Sequence, residues 1–239
     1  MPAQIVAITG SGSGIGRATA RRFLAAGATV YGFDIIDQAP EPDGAGRWVP
    51  RRLDVSDAEA VRREMAAVTA EHGAVDVLVT SAAVGFPENF TDMPVESWDR
   101  VWDINVTGTM VCVRSVLPSM IERGGGAVVV ISSIAGRSRS VANGAHYTVS
   151  KYGLIGLTRH VAAELAGTGV RINCVAPGPT DSPILTANST EDQVQKIIES
   201  TPLRRIAEPD DVAGVVTFAA SERARQIHGA VLDVNGGLY

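Results

Sequence analysis

Two side chains in this sequence set a weak acid beside a cation at helical spacing. Tyr147 and Lys151, in Tyr-Thr-Val-Ser-Lys, stand four residues apart and would share one face of a helix. The chain has only two lysines, Lys151 and Lys196, so the pairing is not a by-product of a lysine-rich composition. A phenol ordinarily titrates near ~10. A neighbouring ammonium favours the phenolate, which would suit Tyr147 to take or give a proton near neutral pH. The bland alternative is an exposed helical pair.

A second group of residues suits a pyrophosphate. Thr9-Gly10-Ser11-Gly12-Ser13-Gly14-Ile15-Gly16 follows an apolar run and opens an amphipathic one. Glycines allow a tight turn and a close backbone approach, and the helix start offers unpaired N–H groups and a positive dipole end. Asp34 closes the next apolar run. A carboxylate there can accept from both hydroxyls of an adenosine ribose and would repel a 2′-phosphate. Neither Ser13 nor Ile35 is basic, so the pattern favours NAD over NADP.

The elements that must position these residues are legible in outline. Apolar runs at 4–9, 29–34, 48–54, 75–80, 127–132, 171–175 and 230–234 are rich in Val and Ile and mostly lack alternation, as strands buried on both faces do. Helical patterns at 15–26, 56–72, 98–123, 147–166 and 209–220 lie between them. Ser56-Asp57-Ala58-Glu59 reads as a capping box, and Pro209 suits a first helical turn. The alternation predicts a single-domain Rossmann-type α/β fold over residues 1–239, a doubly wound parallel sheet of seven strands with helices on both faces. Pro40, Pro42, Gly44 and Gly46 predict an irregular loop in the 35–47 crossover.

Composition narrows the function classes. A net charge of −5 in 239 residues argues against a nucleic-acid partner. Two cysteines, Cys112 and Cys174, give neither a disulfide framework nor a metal site and suggest a reducing, cytoplasmic setting. The N-terminus does not read as a signal peptide, and the apolar runs look too short to span a bilayer, so no membrane partner is expected.

Taken together, Thr9-Gly-x-x-x-Gly14-x-Gly16 and Tyr147-x-x-x-Lys151 resemble the short-chain dehydrogenase/reductase family, in its short single-domain branch, over nearly the whole chain. The resemblance implies hydride transfer between NAD(H) and a secondary alcohol or ketone. It implies catalytic roles for Asn105, Ser133, Tyr147 and Lys151: Ser133 holds the substrate oxygen, Tyr147 exchanges its proton, Lys151 lowers the Tyr147 pKa and holds the nicotinamide ribose, and Asn105 positions a water. It implies cofactor contacts from Gly10, Ser13, Gly14, Ile15, Gly16, Asp34, Asp54, Val55, Ser81, Ala82, Pro177, Gly178, Thr180 and Ser182, with Tyr147 and Lys151. It also implies a homotetramer, with the 98–123 and 147–166 helices at one interface, Trp98, Trp102 and Met110 among them, and 231–239 at another. An NADPH-linked 3-oxoacyl-thioester reductase and a catalytically silent dinucleotide sensor are the competing readings. Asp34 weighs against the first, and the complete set of four catalytic residue types against the second.

The sequence departs from the family pattern in places. Thr80-Ser81-Ala82-Ala83 stands where Asn-Asn-Ala-Gly is usual, which predicts an altered cofactor pocket. Ser133 precedes Tyr147 by one residue more than usual; Ser132 fits worse, because Ser133 directly precedes Ile-Ala-Gly. The substrate wall is expected from 84–90, 134–146 and 183–201. Arg137 or Arg139 could meet an anionic group on the substrate. His146, adjacent to Tyr147 and so on a different face, is expected to be structural or at the rim.

Overall fold

The computed structural model describes residues 4–38 and 45–239. Seven strands form one sheet: β1 (Ile5–Thr9), β2 (Thr29–Asp34), β3 (Arg47–Arg52), β4 (Val77–Thr80), β5 (Gly126–Ile131), β6 (Val170–Pro177) and β7 (Val231–Val234). Their order is β3-β2-β1-β4-β5-β6-β7, and all six pairings are parallel. The chain leaves β1 toward β3 and then crosses to β4 on the other side. That reversal opens a crevice at the carboxyl ends of β1 and β4, where ligands bind in open α/β sheets.

The strands are apolar throughout because both faces are covered. One face carries α2 (Ala58–His72), α4 (Thr109–Arg123) and α5 (Ala145–Glu164), packed through Val61, Met65, Val116, Met120 and Leu154. The other carries α1 (Gly14–Ala25) and α8 (Pro209–Ala220), packed through Phe23, Leu24, Val212 and Val216. Edge strand β3 is blunted by Arg47, Arg51, Arg52 and Pro50. Cys112 and Cys174 are free core thiols, pushed up to about 12 and about 11 by burial.

Three local expectations need correction. The capping residue of α2 is Asp57, whose Oδ1 accepts from Glu59 and Ala60 N–H at 3.1 and 2.9 Å; Ser56 instead bonds Asp54. The single helix expected at 98–123 begins earlier, as α3 (Val95–Trp102), and runs into α4 through a wide π turn at Asp103–Gly108. This 95–123 stretch has the length and hydropathy of a membrane span, yet Val111, Cys112, Val116 and Met120 pack it into the core, which accounts for its apolar character. Two short helices, α6 (Pro183–Asn188) and α7 (Glu191–Ser200), stand where no element was anticipated. Part of the irregular 35–47 loop lies outside the described residues.

Candidate active site

Gly10 and Gly16 of the glycine turn make contacts that tolerate no side chain. Gly10 adopts φ +69°, and a Cβ there would lie 2.6 Å from the Ala82 amide nitrogen. A Cβ on Gly16 would lie 2.1 Å from the Gly10 carbonyl oxygen. Gly16 therefore packs α1 against the turn and does not itself face the cavity. Ser13 is the N-cap of α1 but makes no side-chain cap, and the first turn holds no acidic residue. Among the described residues no side chain caps the leading amides of this 12-residue helix beside the crevice, which fits a pyrophosphate.

Asp34 sits at the end of β2. Its Oδ2 accepts from Gly12 N–H at 2.8 Å and its Oδ1 from Ile36 N–H at 3.2 Å. Arg52, opposite it in the β2–β3 register, leans to Asp37 at 3.4 Å rather than to Asp34. Asp54 is already engaged, accepting from Ser56 N–H and O–H at 2.9 and 2.7 Å. Phe33, Leu53 and Val55 line the apolar flank beside it.

These groups border one cavity of about 980 Å³. Every predicted site residue lines it except Gly16 and Asn105. Ser81 and Ala82 form its floor against the turn, with Ser81 N–H donating to Thr9 O at 3.2 Å. The replaced segment still closes on the glycine loop, and Ala83 needs no positive φ. Pro177, Gly178, Thr180 and Ser182 form the opposite lip.

Ser133, Tyr147 and Lys151 meet at the centre. Ser133 extends from the end of β5, its Oγ accepting from Ala135 N–H at 3.1 Å. Ser132, the alternative, is buried and donates to the Lys151 carbonyl at 2.8 Å, a purely structural bond. Lys151 lies with its Nζ 5.3 Å from the Tyr147 ring centre and donates to Ile131 O at 3.1 Å. Burial lowers the Lys151 ammonium to about 8. Burial also raises the Tyr147 phenol, opposed by its hydrogen bond with Ser133. The expected depression of the phenol by Lys151 is therefore not what governs it here; desolvation does.

Asn105 is fully buried behind this centre. Its Oδ1 accepts from Val84 N–H at 2.9 Å, and its Nδ2 donates to Val84 O and Ser150 Oγ, both at 3.0 Å. Ser150 Oγ in turn donates to Tyr147 O at 2.7 Å. The side chain thus fixes the Val84 backbone and α5 with both amide hydrogens and one lone pair of Oδ1. What the site gains at Asn105 is the π turn itself, a distortion that often marks functional positions.

The three expected substrate walls converge. Asn188 of α6 donates to Gly85 O at 2.9 Å and to Asn143 Oδ1 at 2.7 Å, joining all of them. The two arginines part company: Arg137 donates to Asp233 Oδ1 at 2.9 Å and Val231 O at 3.1 Å, pinned to β7, while Arg139 lines the cavity. Sequence reasoning missed the lining by Asp99, Arg100 and Asp103, and by Leu238 and Tyr239. The amphipathic pattern of 95–102 was the available signal for the first group; nothing in the sequence marked the second. Among the described residues no group of His, Cys, Asp and Glu is arranged for a metal.

With this geometry in place, comparison with known proteins is direct. The profile of the family described as "Enoyl-(Acyl carrier protein) reductase" matches residues 10–239. The chain is 37% identical to a cis-4-hydroxycyclohexanecarboxylate dehydrogenase of Sinomonas cyclohexanicum, over 98% of this chain and 96% of that one. It is 34% identical to a 3-oxoacyl-[acyl-carrier-protein] reductase of Thermotoga maritima, over 98% and 97%. The ligand-free aldohexose dehydrogenase of Thermoplasma acidophilum superposes with a TM-score of 0.90 at 30% identity, over 99% and 94%. The chain belongs to the short-chain dehydrogenase/reductase family, and it is an oxidoreductase of the kind that uses a nicotinamide dinucleotide.

Proposed function

We propose that the protein transfers a hydride between NAD(H) and a secondary alcohol or ketone carrying an anionic group. The observation that carries this reading is the convergence of Ser133, Tyr147 and Lys151 with the glycine turn and Asp34 on one cavity. Bound there, the dinucleotide supplies the hydride acceptor or donor. The uncapped start of α1 would receive its pyrophosphate, Asp34 its adenosine ribose, and Lys151 its second ribose. NAD is favoured because Asp34 presents a carboxylate where NADP would bring a phosphate.

The chain's own residues do the rest. Ser133 Oγ–H donates to the substrate oxygen and holds it beside Tyr147. The phenol gives that oxygen a proton in reduction and takes one in oxidation. Because burial raises its pKa, Tyr147 is protonated at neutral pH in the free enzyme, and oxidation is favoured as pH rises. Arg139, whose neighbour Arg137 is tied to β7, offers a guanidinium at the wall for a carboxylate. The hydroxy acid named for the Sinomonas relative supports this substrate class.

Turnover should be measured with NAD(H) and NADP(H) on cyclic hydroxy acids, their neutral amides and a 3-oxoacyl thioester. The expected result is NAD(H)-dependent turnover of a hydroxy acid, abolished in Tyr147→Phe with NADH binding kept. Arg139→Gln should raise KM about tenfold for the acid and leave the amide unchanged. Activity only with NADPH and the thioester would replace this reading.

A further inference from the structure

His146 is buried to 1% exposure, and the reaction described above gives it no role. It lies at the first turn of α5, where Gly144 caps the helix without a side chain. Its Nδ1 accepts from the Tyr147 N–H at 2.7 Å. That amide is one of the donors a helix start leaves unpaired. An Nδ1 that accepts must be unprotonated, so the neutral ring carries its proton on Nε2. Nε2 lies 3.3 Å from Glu88 Oε2, in contact but off hydrogen-bond geometry, and neither buried atom has a hydrogen-bond partner among the described residues. Glu88 is itself held, its Oε1 accepting from Ser97 Oγ–H of α3 at 2.9 Å.

Two further contacts run in parallel. Gly144 N–H donates to Phe86 O at 2.8 Å. The Phe86 ring meets His146 edge-on at 5.9 Å, with the Arg100 guanidinium over the same ring at 5.9 Å. A Cβ on Gly144 would lie 2.5 Å from Glu88 O, so the two segments approach as closely as backbone allows. One imidazole thus joins the amide of Tyr147 to the 84–90 wall and, through Glu88, to α3.

We propose that His146 and Glu88 form a buried clamp that sets the position of Tyr147 against the substrate wall. His146 is a positioning residue: it touches the Tyr147 backbone from one ring nitrogen and the wall from the other. The inference rests on the proposed role of Tyr147, yet the clamp can be read without turnover.

Two substitutions separate the halves of the ring. His146→Asn keeps an acceptor near Nδ1 and loses the reach to Glu88. His146→Gln keeps a donor near Nε2 and loses the acceptor. Glu88→Gln removes the charge alone. Backbone amide exchange is measured in each full-length variant, with kcat, KM and NADH affinity beside it. The Tyr147 amide should exchange at least about tenfold faster in His146→Gln and stay protected in His146→Asn. The amides of 84–88 should loosen in His146→Asn and Glu88→Gln. The kcat of His146→Gln should fall about tenfold or more at unchanged NADH affinity. Equal behaviour of His146→Asn and His146→Gln in both exchange and kcat would overturn the clamp, as would an unchanged Tyr147 amide in His146→Gln. Failure of the dehydrogenase reading shows instead as a wild-type protein that turns over nothing, and the exchange result still decides the clamp.

Discussion

Lys151 shows how the site trades stability for chemistry. Its ammonium is 2% exposed, and its donation to Ile131 O at 3.1 Å offsets only part of the lost hydration. Unfolded, it holds its proton up to 10.5; folded, it releases it from about 8. Between those values the unfolded chain binds more protons, so this group adds stability as pH rises through the window and carries its full burial cost below it. A shift of that size corresponds to about 3 kcal/mol. Lys151→Met removes the buried charge and forgoes the bond to Ile131, worth about 1 kcal/mol. Urea denaturation of the cofactor-free protein should show a gain of about 1–2 kcal/mol at pH 7 that fades toward pH ~10. A gain independent of pH would mean that burial does not move the Lys151 pKa from its unfolded value. The cost is tolerable where the ammonium must stand beside the phenol, and it explains why the pair is visible in sequence while its titration is not. Spacing reveals a shared helix face; desolvation is a property of what surrounds it.

At the level of elements, Gly16 and Asn105 mark the limit of motif reading. Both belong to recognisable patterns, yet neither faces the cavity. Gly16 lets α1 lie against the turn, and Asn105 holds the Val84 backbone. The strands and long helices were legible because burial on both faces and amphipathic spacing leave a strong signal. The helices α6 and α7 were not, since six and ten residues give little periodicity and their place depends on Asn188 reaching two other segments. The distinction between Arg137 and Arg139 likewise needed Asp233, nearly a hundred residues away in the chain. Gly16→Ala tests the packing role. Its Cβ would strike the Gly10 backbone, so α1 must move, at about 2 kcal/mol or more and with NADH affinity reduced over about tenfold. Gly14→Ala meets nothing closer than 3.5 Å and carries only the strain of φ +49°, about 1 kcal/mol. Urea titrations of both variants, with and without NADH, compare the two. Equal losses would show that backbone strain, not the helix contact, dominates at this turn.

The whole molecule leaves an apolar face uncovered on the side of α5 away from the sheet. Trp102 at the end of α3 is 38% exposed, Val149 39% and Tyr152 47%, while Trp98 and Met110 are half-buried. Trp102 lies beside Gly153 of α5, four residues from Val149 and next to Tyr152 in the chain, which brings exposed side chains of α3 and α5 together. The short strand β7 leaves a second uncovered edge, half-buried along most of its length. We propose that both are subunit contacts and that the protein is a homotetramer. The helix presenting Tyr147 and Lys151 to the cavity would then have its outer face braced by a partner, coupling assembly to the active site. Light scattering during gel filtration should give about 100 kDa, four times the 25.0 kDa chain. Trp102→Glu with Tyr152→Glu places two charges on the patch and should halve the assembly or more, since burying an unpaired charge costs several kcal/mol. The smaller species should keep its fold by circular dichroism but lose thermal stability, because the patch returns to water. A 25.0 kDa wild-type particle at micromolar concentration would show that the patch serves another partner, and an unchanged mass in the double variant would move the interface elsewhere.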